Sequence, residues 1–135
     1  MNRPIKSIII QAVAIPFVIA GVVIVLLTMD GQSGAARYSA VLQLDYMLGS
    51  ISWGYMILQW TMALDVREFG SGRTRVSNVL LTVGAESAVV VLTLDYGKGV
   101  MAVILAREVI GTTGAELAAG LIVLAGHNWP FFLQF

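Results

Sequence analysis

The longest uncharged stretch of the sequence runs from Ser7 to Met29 and constrains the fold more than any other feature. A helix rises about 1.5 Å per residue, so a helix over this stretch is long enough to cross a hydrocarbon core about 30 Å thick. Arg3 and Lys6 precede it, as basic residues precede a signal peptide, but the apolar run is longer than the core of such a peptide. The stretch therefore predicts a transmembrane helix.

The rest of the chain has the composition of a membrane protein. Of its 135 residues, 58% are hydrophobic and 12% are charged, and the mean hydropathy is +0.85. We predict an all-α integral membrane protein with about four transmembrane helices, over Ser7–Met29, Val41–Leu64, Ala85–Ala106 and Thr113–Phe135. Residues 30 to 40 are predicted to be a polar connector. Thr113, with Glu116 three residues on, predicts a capping box at the start of the last helix.

The number and the positions of the charged residues indicate which partners to expect and how the predicted helices are oriented in the membrane. The formal net charge is zero and no basic surface is evident, so no nucleic-acid partner is expected. The absence of cysteine excludes disulfides and thiolate sites. Basic residues fall mainly on one side of the predicted bundle: Arg3, Lys6, Arg67, Arg73 and Arg75, against Arg37 and Arg107 on the other. The positive-inside rule then predicts that both termini are cytoplasmic.

One polar loop, Asp65–Gly84, lies between the predicted second and third helices. Its Gly70-Ser71-Gly72 places a hydroxyl between two residues without Cβ, and backbone N–H groups in such a turn can converge on a phosphate or an acyl oxyanion. Gly-Ser-Gly is also a common turn, and arginines beside a membrane also arise from the positive-inside bias. On spacing alone, the ordinary turn is the more frequent explanation.

Several ionisable groups fall inside the predicted spans. Asp95 and Lys98 lie three residues apart, on one helical face, and predict a buried ion pair with a structural role. Asp45 is predicted to lie at the membrane interface, because an unpaired carboxylate at the bilayer centre costs several kcal/mol. His127 is the only histidine. Such a residue can ligate a haem or chlorophyll metal, but no second ligand or cofactor motif accompanies it, so no metal and no cofactor are expected.

Four groups of residues occur in the order and at the separations of a known family. They are Tyr46-Met47-Leu48-Gly49-Ser50-Ile51 with Trp53-Gly54, Asp65-Val66-Arg67 with Gly70-Ser71-Gly72, Leu94-Asp95 with Lys98-Gly99, and Gly126-His127 with Pro130, Phe132 and Phe135. On these motifs the chain resembles the PlsY-type acyl-phosphate:glycerol-3-phosphate acyltransferases, integral membrane enzymes of bacterial phospholipid synthesis. The resemblance implies a multi-pass protein of the bacterial cytoplasmic (inner) membrane, with its motif loops on the cytoplasmic side.

The first loop motif departs from the family pattern, which reads Gly-Ser-Gly-Asn-x-Gly-Ala-Thr-Asn-x-x-Arg. Arg73 and Arg75 replace the asparagine and the third glycine, and Leu81 replaces the arginine expected to hold substrate phosphate. Leucine has no donor for a phosphate oxygen. No catalytic residue is therefore expected to be competent. The remaining substrate-site positions are interpreted as vestigial: Gly70, Ser71, Gly72, Ser77, Asn78 and His127.

These departures favour a non-catalytic interpretation. We expect residues 1–40 to form an added N-terminal transmembrane helix with its connector, and residues 41–135 to form a truncated PlsY-like helical half-fold. In this interpretation the protein is a pseudoenzyme that packs against other transmembrane subunits of a larger complex, for example photosynthetic or respiratory, and contacts membrane lipid. The alternative is a glycerol-3-phosphate acyltransferase of phospholipid synthesis that uses acyl phosphate, with Ser71 and Asn78 in the substrate pocket.

Overall fold

The computed structural model of the protein describes residues 3–28, 30–62 and 76–133, and every regular element within these ranges is helical. The helices are α1 (Arg3–Thr28), α2 (Gly34–Ser50), α3 (Trp53–Met62), α4 (Val76–Thr82), α5 (Ala85–Val109) and α6 (Thr113–Asn128), followed by a 3-10 turn at Phe131–Leu133. The predicted all-α fold is therefore confirmed over the described residues.

Among the described helices, α5 alone combines the length and the apolar composition needed to cross a membrane. The predicted third span, Ala85–Ala106, begins where α5 begins and ends about one turn before it. Among its described side chains, α1 has a shorter apolar stretch, Ala12–Val25. The four-span arrangement and the cytoplasmic position of both termini stay predictions.

The predicted second span, Val41–Leu64, is not one continuous helix. It is interrupted after Ser50, where Ile51 takes an extended backbone conformation and its N–H bonds to the carbonyl of Leu48 at 3.3 Å. The helix resumes as α3 at Trp53. A hydroxyl favours the interruption, since Ser50 Oγ donates to the Tyr46 carbonyl at 2.8 Å and serine competes in this way for helical backbone groups.

Both α2 and α6 begin at a side-chain cap. Ser33 caps α2 by accepting the N–H of Ala36 at 3.3 Å, so α2 begins within the segment predicted to be a connector. Thr112 caps α6 by accepting the N–H of Ala115 at 3.3 Å. The predicted capping box with Thr113 as the cap is wrong, because Thr113 is already helical whereas Thr112 has the extended backbone that a cap needs.

The chain divides into two compact units, which are described separately. The first, called the α2–α6 unit, comprises Ile10–Ile51 and Lys98–Phe135; the second, called the α3–α4 unit, comprises Met1–Ile9 and Ser52–Gly97. In the α3–α4 unit, Tyr55, Met56 and Leu58 of α3 and Val79 of α4 are almost fully buried.

In the α2–α6 unit, α2 and α6 lie side by side and run in the same direction. Near their starts the hydroxyls of Tyr38 and Thr112 are 2.9 Å apart, and near their ends Tyr46 Oη donates to the carbonyl of Trp129 at 2.8 Å. The end of α5 lies beside the start of α2, where Arg37 donates to the carbonyl of Val109 at 3.1 Å. The core of this unit is aliphatic and consists of Val18, Val22, Val25, Val41, Leu48, Ala102, Leu105, Ala106, Val109, Ala115, Ala119 and Val123.

Large apolar side chains are also exposed on α1, α5 and α6. They include Phe17, Ile24, Leu27, Val89, Leu92, Ile104, Leu117, Leu121 and Leu124. Large exposed apolar side chains in such numbers are typical of helices that contact lipid or protein.

Candidate active site

Lys98 is a residue of α5, and its side chain lies at the C-terminal end of α2. It is one of the few buried charged residues that the structure describes. Its side chain is only 6% exposed, and its ammonium group donates to the carbonyls of Gly49 at 3.0 Å and Ile51 at 2.8 Å. The last carbonyls of a helix lack partners within the helix and form the negative end of its dipole. Lys98 therefore donates hydrogen bonds to carbonyls at the C-terminal end of α2 and places a positive charge at the negative end of the α2 dipole.

His127 completes this cluster from α6. Its Nδ1 atom lies 3.0 Å from Lys98 Nζ. The histidine occupies the last turn of α6, next to the final helical residue Asn128. Lys98 and His127 belong to two different sequence motifs. The structure brings them together at the C-terminal end of α2, which carries a third motif.

Close contact between the backbones of α2 and α6 sets the position of His127. A Cβ built on Gly49 would overlap the carbonyl of Val123, and one built on Gly126 would overlap the carbonyl of Tyr46. Only glycine permits this approach. Because Gly126 immediately precedes His127, this backbone contact sets the position of the imidazole along the axis of α2. Gly49 and Gly126 therefore have a packing role.

Gly97 and Gly99 of α5 make no comparable contact with the other described residues. Within the described part of the chain, nothing lies within 4 Å of a Cβ built on either residue. Asp95 lies on α5 and is half-buried, and its ion pair with Lys98 stays a prediction. In the described ranges no group of three or more His, Cys, Asp or Glu side chains is arranged to hold a metal ion.

Asp45 is, with Lys98, one of the two buried charged residues that the structure describes. Its side chain is fully buried in the α2–α6 unit, and neither carboxylate oxygen has a hydrogen-bond partner among the described residues. Val41, Asp45 and Leu48 recur at helical spacing and share the buried face of α2, so Asp45 faces protein, and its interfacial depth in a membrane stays a prediction. That spacing was readable in the sequence.

The predicted loop site lies largely outside the described residues. Gly70, Ser71 and Gly72 fall there, as do the three loop arginines Arg67, Arg73 and Arg75. Two further predicted positions lie on α4, where Ser77 is exposed and Asn78 is only 3% exposed. Leu81, which stands where the resemblance places an arginine, is 86% exposed. The role of the loop as a substrate site is therefore still a prediction.

Comparison with known proteins bears directly on the function. A family model described as glycerol-3-phosphate acyltransferase matches residues 39–135. Glycerol-3-phosphate acyltransferase 3 of Dehalococcoides mccartyi is 42% identical over 112 residues, covering 74% of this chain and 52% of that protein. The glycerol-3-phosphate acyltransferase of Prochlorococcus marinus is 46% identical over 92 residues, covering 68% of this chain and 45% of that protein. No solved structure matches.

The chain spans about half the length of the curated relatives it matches. A third relative, the glycerol-3-phosphate acyltransferase of Thermoanaerobacter pseudethanolicus, is 42% identical over 90 residues, covering 67% of this chain and 45% of that protein. Relatives at this level of identity are named as the enzyme, so the interpretation of the protein as a non-catalytic subunit of a larger complex is wrong. That interpretation gave too much weight to the replacement at Leu81. The family match, which covers all of the motifs from Tyr46 onwards, shows that this chain belongs to the glycerol-3-phosphate acyltransferase family.

Proposed function

We propose that the protein transfers the acyl group of an acyl phosphate to a hydroxyl of glycerol 3-phosphate. In this reaction the hydroxyl oxygen attacks the acyl carbonyl carbon, an ester bond forms, and the bond from that carbon to the phosphate oxygen breaks. Inorganic phosphate is released and carries away the hydroxyl proton in the net reaction. Membership of the family supports this proposal, and so does the arrangement at the end of α2.

The observation that carries the proposal is the meeting of Lys98 and His127. The two residues are 29 positions apart in sequence, yet their side-chain nitrogens lie 3.0 Å apart in a largely buried cluster. Both substrates carry phosphate, and charge develops on oxygen in the transition state. Cations and N–H donors fixed in advance stabilise such charge better than groups that must reorganise during the reaction.

We also propose that the loop at Gly70-Ser71-Gly72 binds substrate phosphate. It offers backbone N–H groups and a hydroxyl to phosphate oxygen, and Arg73 and Arg75 supply the positive charge that Leu81 does not. Arginine binds phosphate through a planar fork of donors, so either residue can take a bidentate position if the loop places it there.

We also propose that the protein is a multi-pass protein of the bacterial cytoplasmic membrane with both termini in the cytoplasm. The exposed apolar side chains of α1, α5 and α6 support contact with membrane lipid. The uneven distribution of arginine and lysine supports the orientation. This orientation gives the loop access to substrates that are made in the cytoplasm.

The proposal can be tested in membranes that contain the protein as its cell produces it. Radiolabelled glycerol 3-phosphate and an acyl phosphate are added, and label is followed into the organic phase. Labelled lipid should form only when both substrates are present, and Ser71→Ala should lower its rate. Leu81→Ala is the matched control and should leave the rate unchanged, since this side chain is exposed and has no donor. No product above membranes that lack the protein would contradict the proposal.

A further inference from the structure

Tyr46 of α2 contacts the last turn of α6 at two points, one on each side of His127. Its backbone carbonyl lies against Gly126, where an added Cβ would overlap the carbonyl oxygen. Its side-chain hydroxyl donates to the carbonyl of Trp129 at 2.8 Å. Because His127 lies between Gly126 and Trp129 in the sequence, one residue of α2 holds the chain both before and after the imidazole.

The hydrogen bond from Tyr46 to Trp129 acts where the helix no longer fixes the backbone. Trp129 is the C-cap of α6 and has a non-helical backbone, with φ −126° and ψ 71°. Carbonyls at the end of a helix have no partner within it, and Tyr46 supplies one here. The indole of Trp129 is exposed. The hydroxyl of Tyr46, rather than the tryptophan side chain, therefore ties this end of α6 to α2.

We infer that Tyr46 is a positioning residue for His127. Its backbone contact sets where the last turn of α6 lies along α2, and its hydroxyl sets the direction in which the chain leaves that turn. Nδ1 of His127 lies 3.0 Å from Nζ of Lys98, so a small displacement of this turn alters the candidate site. The inference deepens the proposed acyl transfer and rests on it for the effect on the reaction, whereas the positioning itself can be measured separately.

Tyr38 provides a matched comparison, because it makes the same kind of bond between the same two helices. Its hydroxyl lies 2.9 Å from that of Thr112, near the starts of α2 and α6. Tyr38 precedes Tyr46 by about 12 Å along α2, at 1.5 Å per residue. Removing either tyrosine hydroxyl therefore costs one hydrogen bond between α2 and α6, but only the loss at Tyr46 occurs beside His127.

The position of His127 can be followed without substrate, because it is the only histidine in the chain. The protein is labelled with ¹³C- and ¹⁵N-histidine and reconstituted in lipid, and its imidazole resonances are recorded by NMR. Tyr46→Phe should shift these resonances, whereas Tyr38→Phe should leave them at their wild-type positions. Wild-type resonances in Tyr46→Phe would overturn the inference.

Acyl-transfer kinetics test the same role in the reaction. Tyr46→Phe should lower kcat by about 2- to 10-fold, the factor that corresponds to the loss of one hydrogen bond. KM should stay near its wild-type value, because Tyr46 orients His127 and does not itself bind substrate. Tyr38→Phe should leave both constants near wild type. Equal kcat values for the two variants would contradict a positioning role.

The two readouts separate this inference from the proposed function. A wild-type protein without acyl transfer would overturn the proposed function, whereas shifted imidazole resonances in Tyr46→Phe alone would still support the positioning of His127. Thermal unfolding checks that both variants fold, as expected when each loses one hydroxyl and gains no bulk. If Tyr46→Phe unfolded while Tyr38→Phe stayed folded, the hydroxyl of Tyr46 would serve folding instead, and the inference would fail.

Discussion

The backbone of Gly126 in α6 lies against the backbone of Gly49 in α2, so that a Cβ added to Gly126 would stand 3.1 Å from the Cα of Gly49. Small residues allow helices to approach closely in this way, and close approach gains dispersion contacts between backbones. Because the next residue along α6 is His127, the same contact that packs the two helices also positions the imidazole.

Substituting Gly126 tests this packing. Gly126→Ala should destabilise the protein by about 1–3 kcal/mol, since the added methyl overlaps the carbonyl of Tyr46 and crowds the amide nitrogen of Ser50. Gly120→Ala is the matched control on the same helix, because nothing lies within 4 Å of the Cβ it would add. Thermal unfolding in detergent measures both. Equal unfolding temperatures for the two variants would contradict the close contact.

Replacing Asp45 should stabilise the protein. Its carboxylate is fully buried without a hydrogen-bond partner among the described residues, and burying such a group costs about 1–3 kcal/mol. Asp45→Val, with an apolar residue of similar size, should therefore raise the unfolding temperature. Asp45→Asn keeps a polar group of the same shape and should recover less. A drop in stability for Asp45→Val would show that the carboxylate has a partner that matters.

The sequence predicted the family, the helical fold and the extent of α5, because motif order and apolar run length are local properties. The break after Ser50 was not predictable in the same way. The carbonyls of Gly49 and Ile51 at this break accept hydrogen bonds from Lys98, which is 47 positions from Ile51 in sequence. A helix end that is stabilised by a distant side chain leaves no pattern in its own neighbourhood.

Within the candidate site, the sequence identified Lys98 and His127 separately but not their contact. It assigned Lys98 to Asp95 because residues three apart share a helical face, whereas the contacts with α2 and α6 depend on tertiary packing. The functional interpretation failed at one residue, Leu81. A single replacement removes one donor, whereas the family match extends over residues 39–135 as a whole.

The ion pair between Asp95 and Lys98 can be tested by a double-mutant cycle. Spacing on α5 predicts that Asp95→Asn and Lys98→Met each leave a charge without its counterion, whereas the double variant leaves none. A charge at a helix centre costs about 2.5–3.5 kcal/mol on insertion scales, so a coupling energy above about 1 kcal/mol is expected. Additive effects on the free energy of unfolding would exclude the pair.

The orientation in the membrane can be tested by cysteine labelling, since the chain contains no cysteine of its own. Thr74→Cys should react with an impermeant thiol reagent only from the cytoplasmic side. Gln32→Cys, at an exposed position before α2, should react only from the opposite side. The basis is the excess of arginine and lysine on the side of the loop. Labelling of Thr74→Cys from outside intact cells would reverse the orientation.

The most direct test of the account is acyl transfer by the protein itself, purified as its cell produces it and reconstituted in lipid vesicles. With an acyl phosphate and glycerol 3-phosphate, mass spectrometry should detect the monoacylated product. His127→Ala should lower the rate by about 10²–10³, the range expected when one group of a site that stabilises developing negative charge is removed. A wild-type rate no higher than that of vesicles without protein would contradict the account.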